Sequence, residues 1–476
     1  MELVSDYRAL LSDYRWNGMT KTGTPVFVTY AFLTNSEVPT LDQYQPYENN
    51  GYSAFTAAQQ ASFRKAIAHY AKVTGIHFVE VDKPSDAMLM VMNAEGSDWG
   101  GWANYGIGER DFTSSGYLVI DSAGNYAPGS YSYETILHEL GHAMGLKHPF
   151  DGELQLVARL DNQDHTLMSY TSNGVNDQAL AHLDIDALTY IYGNPRAVRP
   201  DWDWWFDDRQ HIFHLTGSGQ ADKLLGTNTE SILDGRAGND RLFGRDYDDI
   251  AYGRKGNDWF MLGDGFNMAR GGKGSDRFIN YWGDDEFRGG NGRDTVGFGL
   301  SLTGVTVDIG TTDEQFAMGN DRFFSIENVL GSNQDDTIFG SSIRNVLRGR
   351  PGDDVIYGRG GHDVIYGGNG NDQLWGGWGR DRLSAGAGTD TLTGAFGADT
   401  FVFRPDQGEA TITDFEDRTD RIALSDFGFS TKNQAVAHFS ELGTANDLQV
   451  EFDYHGTRII IHGADLADIS HADLLI

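Results

Sequence analysis

The chain reads as an α/β domain followed by an all-β parallel β-roll, and three features of its 476 residues lead there. Within residues 1–195, apolar runs of strand length alternate with stretches of helical periodicity. From about residue 217, glycine and aspartate return every nine residues. Glycine totals 61 residues, nearly double the usual share of about 7%, as a fold built from repeated tight turns demands.

The charge balance narrows the function classes. With 36 basic and 69 acidic residues the net charge is −33, which argues against nucleic-acid binding and for cation binding or a strongly solvated surface. Cysteine is absent, so there is no disulfide and no thiolate to bind a metal. No apolar run approaches the roughly 18 residues of a membrane helix, so no membrane anchor is expected. The N-terminal MELVSDYRALLSDYRWNG has no basic region followed by an apolar core, unlike a cleavable secretory signal. Residues 1–15 read either as a propeptide remnant or as a first helix.

The elements of the first domain follow in order. VFVTYAFL at 26–33 reads as a buried strand, and 56–73 as a helix with Phe63, Ile67 and Tyr70 on its apolar face. Strands are expected at 76–81, 87–92 and 117–121. Ahead of residue 138, Pro128 and Gly129 break the chain, Ser130 and Ser132 offer cap oxygens, and Glu134 places negative charge in a helix's first turn. HLDIDALTYIY at 182–192 has helical periodicity and closes the domain at Gly193, Asn194 and Pro195. A linker at 196–216 carries Trp202, Trp204, Trp205 and Phe206, read as apolar glue or a cap on the next core.

Residues 138–148 read HELGHAMGLKH. His138 and His142 stand four apart, so on a helix both imidazoles leave one face and can grip one metal. Glu139 lies beside them, placed to act as general base on a water rather than to ligate. Gly145 can take a positive φ, end the helix and let His148 deliver a third nitrogen, while Pro149 blocks helical continuation. Three imidazoles without thiolates favour zinc. His165 reads as an ordinary loop histidine.

The nine-residue register runs through the turns marked by Gly235, Gly238 and Asp240; Gly253, Gly256 and Asp258; Gly271, Gly274 and Asp276; and Gly289, Gly292 and Asp294. After an interruption between about 298 and 330 it resumes with Gly349, Gly352 and Asp354; Gly358, Gly361 and Asp363; Gly367, Gly370 and Asp372; Gly376, Gly379 and Asp381; and Asp390. Each turn offers carbonyls and a carboxylate as hard oxygen ligands for calcium, while the apolar residue two positions on points inward. If one coil takes two units, turns on one edge recur every eighteen residues. The turns ending at Ser231, Asp249, Asn267 and Asp285 are degraded, so the first array is expected to bind calcium along one edge and the second along both. Strands are expected at 400–403, 411–415 and 458–461, the last two within a cap region at 409–476.

The extended histidine motif, with Thr166-Leu167-Met168-Ser169-Tyr170 downstream, resembles the serralysin family of secreted bacterial zinc metalloproteases, metzincins with RTX calcium-binding repeats. The resemblance implies an α/β metzincin catalytic domain at 1–195, an RTX β-roll at 217–408, and a cap with a secretion signal at 409–476. It implies that Met168 is a floor beneath the histidines and that Tyr170 is a fourth zinc ligand that swings to the tetrahedral intermediate. It makes strand 87–92 the sheet edge along which an extended substrate pairs. The last residues, Asp473, Leu474, Leu475 and Ile476, resemble the family's export motif. Expected cofactors are Zn²⁺ and several Ca²⁺. Expected partners are protein or peptide substrates, the type I secretion machinery and a proteinaceous inhibitor, around an extracellular monomer. Two rival readings are a calcium-dependent adhesin with a vestigial protease domain, which the intact Glu139 and Met-turn oppose, and a peptidase devoted to one partner.

Overall fold

The computed structural model describes residues 2–12, 14–17, 20, 22–39, 50–96, 100–103, 115–172, 174, 179–313, 315–316, 319–442, 448–469 and 473–476. Contacts divide the chain into two compact units. The first comprises Met1–Ser218, Asp222–Asp234 and Phe243–Ile250, and the second Gly219–Ala221, Gly235–Leu242 and Ala251–Ile476.

In the first unit the strands are β1 (Glu2–Val4), β2 (Val26–Phe32), β3 (Tyr52–Ser53), β4 (Ile76–Glu80), β5 (Leu89–Ala94), β6 (Gly101–Ala103), β7 (Gly116–Asp121) and β8 (Leu154–Leu156). A sheet of order β4-β2-β5-β7-β6 is parallel except for β6, and β3 pairs antiparallel with β5. Six of the seven residues of β2 are buried, as a central parallel strand covered on both faces requires. Strand 87–92 was expected at the sheet edge, yet β5 lies inside, between β2 and β7. The edge is β6, a three-residue strand too short to stand out by periodicity. Helix α1 (Ala57–Val73) starts at a Thr56/Gln59 capping box and buries Phe63, Ala66, Ile67 and Tyr70. Helices α2 (Tyr131–Ala143) and α3 (His182–Tyr192) complete the unit.

The described residues among 1–15 form neither a long helix nor a loose tail. Strand β1 pairs parallel with β8, and Ala9 and Leu10 of a 3₁₀ turn at Tyr7–Leu10 are buried. The region read as a linker holds an antiparallel hairpin of β9 (Asp203–Asp207) and β10 (Ile212–Thr216). Its Trp204 ring packs 5.3 Å from Phe27, and Trp205 stacks on His214 at 4.2 Å.

The second unit is a roll of short strands in parallel ladders. One inner ladder runs Phe260, Phe278, Val296, Val329, Leu347, Ile365, Leu383, Phe401, Ile422 and Leu474. Another runs Val307, Ile338, Ile356, Leu374, Leu392, Ile412 and Ile461. Partners such as Leu347 and Ile365 stand eighteen apart, so each coil takes two nine-residue units. The interruption joins the same ladders through Thr306–Asp308 and Asn328–Leu330. In the cap region, Thr400–Val402, Gly408–Ile412 and Thr457–His462 are strands.

Candidate metal centre

Helix α2 begins at Ser130, whose hydroxyl accepts from the Tyr133 amide, and carries His138 and His142 one turn apart. Three side chains brace it from beneath. The Tyr70 hydroxyl donates to the Leu137 carbonyl, the Trp16 indole to the Ala143 carbonyl at 2.7 Å, and the Tyr192 hydroxyl to the Met144 carbonyl at 3.0 Å. Gly145 has φ +89°, and a Cβ there would lie 2.3 Å from the Tyr14 carbonyl oxygen, so only glycine makes the bend. The bend brings His148 back against the helix.

The ligand atoms of His138, His142 and His148 lie within 4.8 Å of one another. Each Nδ1 is committed: that of His138 to the Leu167 carbonyl, that of His142 to the Leu146 carbonyl, and that of His148 to Asp151 Oδ2, all at 2.9 Å. Carbonyls only accept, so Nδ1 of His138 and of His142 carries the proton and Nε2 presents a lone pair. Nε2 of His142 stands 3.1 Å from Nε2 of His148. Two lone pairs facing at that distance repel unless a cation lies between them, and this arrangement fits zinc. Burial pushes His138 down to about 4 and His142 to about 3, so both are neutral donors at pH 7.

Glu139 is buried, and burial raises its carboxyl to about 8 although the Ala103 backbone hydrogen-bonds it. Its Oε2 has no hydrogen-bond partner among the described residues. Met168 is fully buried, and a Cβ at Gly141 would come within 2.5 Å of its Sδ. Tyr170 is 69% exposed, with its ring 4.6 Å from that of His148 and 5.8 Å from that of His138. His138, Glu139 and Tyr170 open onto a cleft of about 440 Å³ that Gly100, Gly101 and Gln163 also line. His165 sits outside the cluster, edge-on to His182 at 5.2 Å.

Sequence reasoning missed the residues that aim these groups. Asp184, fully buried at the start of α3, accepts from the Thr166 hydroxyl at 2.6 Å and the amides of Leu167 and Ala181 at 2.8 and 2.9 Å. It therefore fixes the Leu167 carbonyl on which His138 hangs. Its position three residues after Ala181, where an acid caps a helix, was the available signal.

In the roll, the first glycine of each expected turn lies under its own aspartate. A Cβ at Gly235, Gly253, Gly271, Gly289, Gly349, Gly358, Gly367 or Gly376 would come within 2.0–2.6 Å of that Oδ2. Gly238, Gly256, Gly274, Gly292, Gly352, Gly361, Gly370 and Gly379 take φ between +124° and +151°. The amide of Asp240 donates to Oδ1 of Asp258, Asp258 to Asp276, and Asp276 to Asp294, at 2.7–2.8 Å. The second array repeats this on both edges, through Asp354, Asp372 and Asp390 and through Asp363, Asp381 and Asp399. Oδ2 of Asp258, Asp276, Asp294, Asp354, Asp363, Asp372, Asp381, Asp390 and Asp399 is buried with no hydrogen-bond partner among the described residues. Rows of buried, unmatched carboxylate oxygens suit calcium. Burial, reinforced by neighbouring carboxylates, pushes Asp276 up to about 7 and Asp372 to about 8. On the degraded edge the oxygens are used within the protein: Asp249 accepts from the amides of Arg245 and Ser231 at 2.9 and 2.7 Å.

The profile of the RTX calcium-binding nonapeptide repeat matches residues 234–269, 262–296, 330–365, 339–374 and 375–404. A serralysin from Proteus mirabilis is 28% identical over 278 residues, 48% of this chain and 55% of that protein. The metallopeptidase AprA of Pseudomonas marginalis is 28% identical over 228 residues, 42% of this chain and 46% of that protein. These matches support membership of the serralysin family. It spans about half the length of the curated relatives it matches. The solution structure of the AlgE6R3 subunit of the Azotobacter vinelandii mannuronan C5-epimerase covers 30% of this chain and 78% of that one, at 24% identity and a TM-score of 0.22. The matched repeats are of a calcium-binding type, and the inner ladders of the second unit are parallel. Among the described residues, no helix is long and apolar enough to cross a membrane.

Proposed function

We propose that this chain is a secreted, calcium-stabilised zinc endopeptidase that cleaves peptide bonds of extracellular proteins. In this reading a metzincin catalytic domain occupies 1–195, a linker 196–216, a calcium-binding roll 217–408, and a cap with an export signal 409–476. The observation that carries it is the convergence of three imidazoles, each anchored through Nδ1, beside a buried carboxylate with one oxygen uncommitted. His138, His142 and His148 would hold zinc through Nε2, with Tyr170 as a fourth ligand. Bound there, zinc supplies a Lewis acid that polarises the scissile carbonyl and lowers the pKa of water to about 7. With the charge of zinc beside it holding its carboxyl ionised, Glu139 would take a proton from the attacking water and pass it to the departing amine. The Tyr170 hydroxyl donates to the oxyanion of the tetrahedral intermediate. An extended substrate pairs with β6, whose Gly101 lines the cleft and whose Ala103 backbone touches Glu139.

Calcium would occupy one edge of the first array, along Asp240, Asp258, Asp276 and Asp294, and both edges of the second, from Asp354 to Asp390. Partners are protein or peptide substrates and a type I export channel that reads the last four residues.

The test is a digest of a proteome-derived peptide library by the wild type and Glu139→Ala, with calcium present and zinc content measured in both. Loss of all cleavage in a variant that keeps its zinc is the expected result. Equal cleavage by both refutes the mechanism.

A further inference from the structure

Four pairs of turns begin the four rows of the roll, two edges in each of two arrays, and all obey one rule. The first turn opens Gly-Ser or Gly-Thr, and the turn eighteen residues later opens Gly-Arg. The pairs are Gly217-Ser218 with Gly235-Arg236, Gly226-Thr227 with Gly244-Arg245, Gly331-Ser332 with Gly349-Arg350, and Gly340-Ser341 with Gly358-Arg359. No other turn in the register opens Gly-Ser or Gly-Thr.

The last three pairs share a geometry. In each, the guanidinium reaches back nineteen residues to the carbonyl of the earlier turn's first glycine. Arg245 Nε donates to Gly226 at 3.1 Å, Arg350 Nη1 to Gly331 at 3.3 Å, and Arg359 Nη1 to Gly340 at 3.1 Å. The earlier turn's last side chain is meanwhile closed by its own second residue. Ser231 Oγ accepts from the Thr227 amide at 3.3 Å, and Asp336 Oδ2 and Asn345 Oδ1 from the amides of Ser332 and Ser341 at 2.7 Å. Ser332 Oγ donates to the other Asp336 oxygen, also at 2.7 Å. The oxygens left unmatched at Asp354 and Asp363 are thus matched one coil earlier, and the Arg350 charge acts on Asp336 as a favourable neighbour.

Two of the arginines are themselves held. Arg245 is buried, with Nη1 3.2 Å from Asn228 Oδ1 and Nη2 on the Trp16 carbonyl; although burial lowers it to about 10, it stays charged at pH 7. Arg359 grips Asp308 through both Nη atoms at 2.7 and 2.6 Å and lies over the Phe339 ring at 5.2 Å.

We propose that Arg245, Arg350 and Arg359 are built-in cations that take the place of calcium in the first interval of their rows. Calcium needs six or more oxygens. Here the glycine carbonyl is spent on an N–H donor, the carboxylate is satisfied within its own turn, and a fixed positive charge repels a divalent ion. The first interval of these three rows is therefore ordered without metal. The inference rests on calcium binding by the later turns.

Hydrogen exchange of the full chain with and without a chelator separates the two. Without calcium, amides at 331–336 and 340–345 keep their protection, while those at 367–372 and 376–381 lose at least tenfold. Equal loss in both sets overturns the proposal; no loss in the later set would instead refute calcium binding there. Arg350→Met and Arg359→Met should each cut chelated-state protection of their own first interval at least tenfold, and Arg348→Met, an exposed strand residue, should not. An unchanged Arg350→Met and Arg359→Met overturns it. Should these variants fail to fold, a calcium-soaked crystal of the wild type decides: an ion between turns 331–336 and 349–354 or between 340–345 and 358–363 overturns the proposal, and ions only in later intervals support it.

Discussion

Gly141 faces Met168 across the floor of the histidine cluster, and the pair shows how little slack lies beneath it. A methyl group at Gly141 would sit 2.5 Å from a sulfur that is fully buried. Neither partner can retreat, because Tyr70 pins the same helix from below through the Leu137 carbonyl. Gly141→Ala should therefore cost about 1–3 kcal/mol by overpacking, read as a lower midpoint in thermal unfolding of the zinc-loaded protein. An unchanged midpoint would show that the floor yields. The glycine stands in the histidine motif, yet its reason for being small, Met168, lies twenty-seven residues on.

At the scale of elements, the support of the histidines is a relay from α3 to α2. Asp184 holds the Leu167 amide, and the Leu167 carbonyl holds His138. Asp184→Ala removes acceptors from two amides and a hydroxyl that stay buried, a loss of roughly 3 kcal/mol, and should weaken zinc binding measured against a competing chelator. Zinc affinity equal to that of the wild type would break the relay. The histidines were legible in the sequence because helical spacing alone puts residues four apart on one face. Asp184 was not, because its partners lie seventeen and eighteen residues away in a loop without periodicity. The inner ladders were legible wherever the nine-residue period held, as at Ile356 and Leu374. Edge strand β6 was hidden for the opposite reason, three residues being too few to display alternation. The hairpin at Trp204 looked like linker because Pro195 and Pro200 stand just ahead of it and its aromatics crowd into a few residues.

Across the whole molecule, an acidic chain keeps carboxylates inside a roll, and their protonation governs its stability. Asp285, on the edge where calcium is not expected, is pushed up to about 8 by burial and then by Asp321. A raised folded value means that the folded state holds the proton more tightly than the unfolded one, so this contribution is fully present near pH 4 and is lost as pH rises through about 8. Asp285→Asn should raise the unfolding midpoint more at pH 9 than at pH 5; an equal shift at both would discount the charge. The carboxylate ladders also have a direction. In every interval the earlier coil gives the amide and the later coil the oxygen, from Asp258 through Asp294 and again from Asp354 through Asp390, and Asp399 gives its own to Asp420 in the cap. The stack therefore has a head and a tail. A coil added at the head must bring amides and one added at the tail must bring carboxylates, so the two ends of the stack present opposite hydrogen-bonding chemistry to whatever closes them.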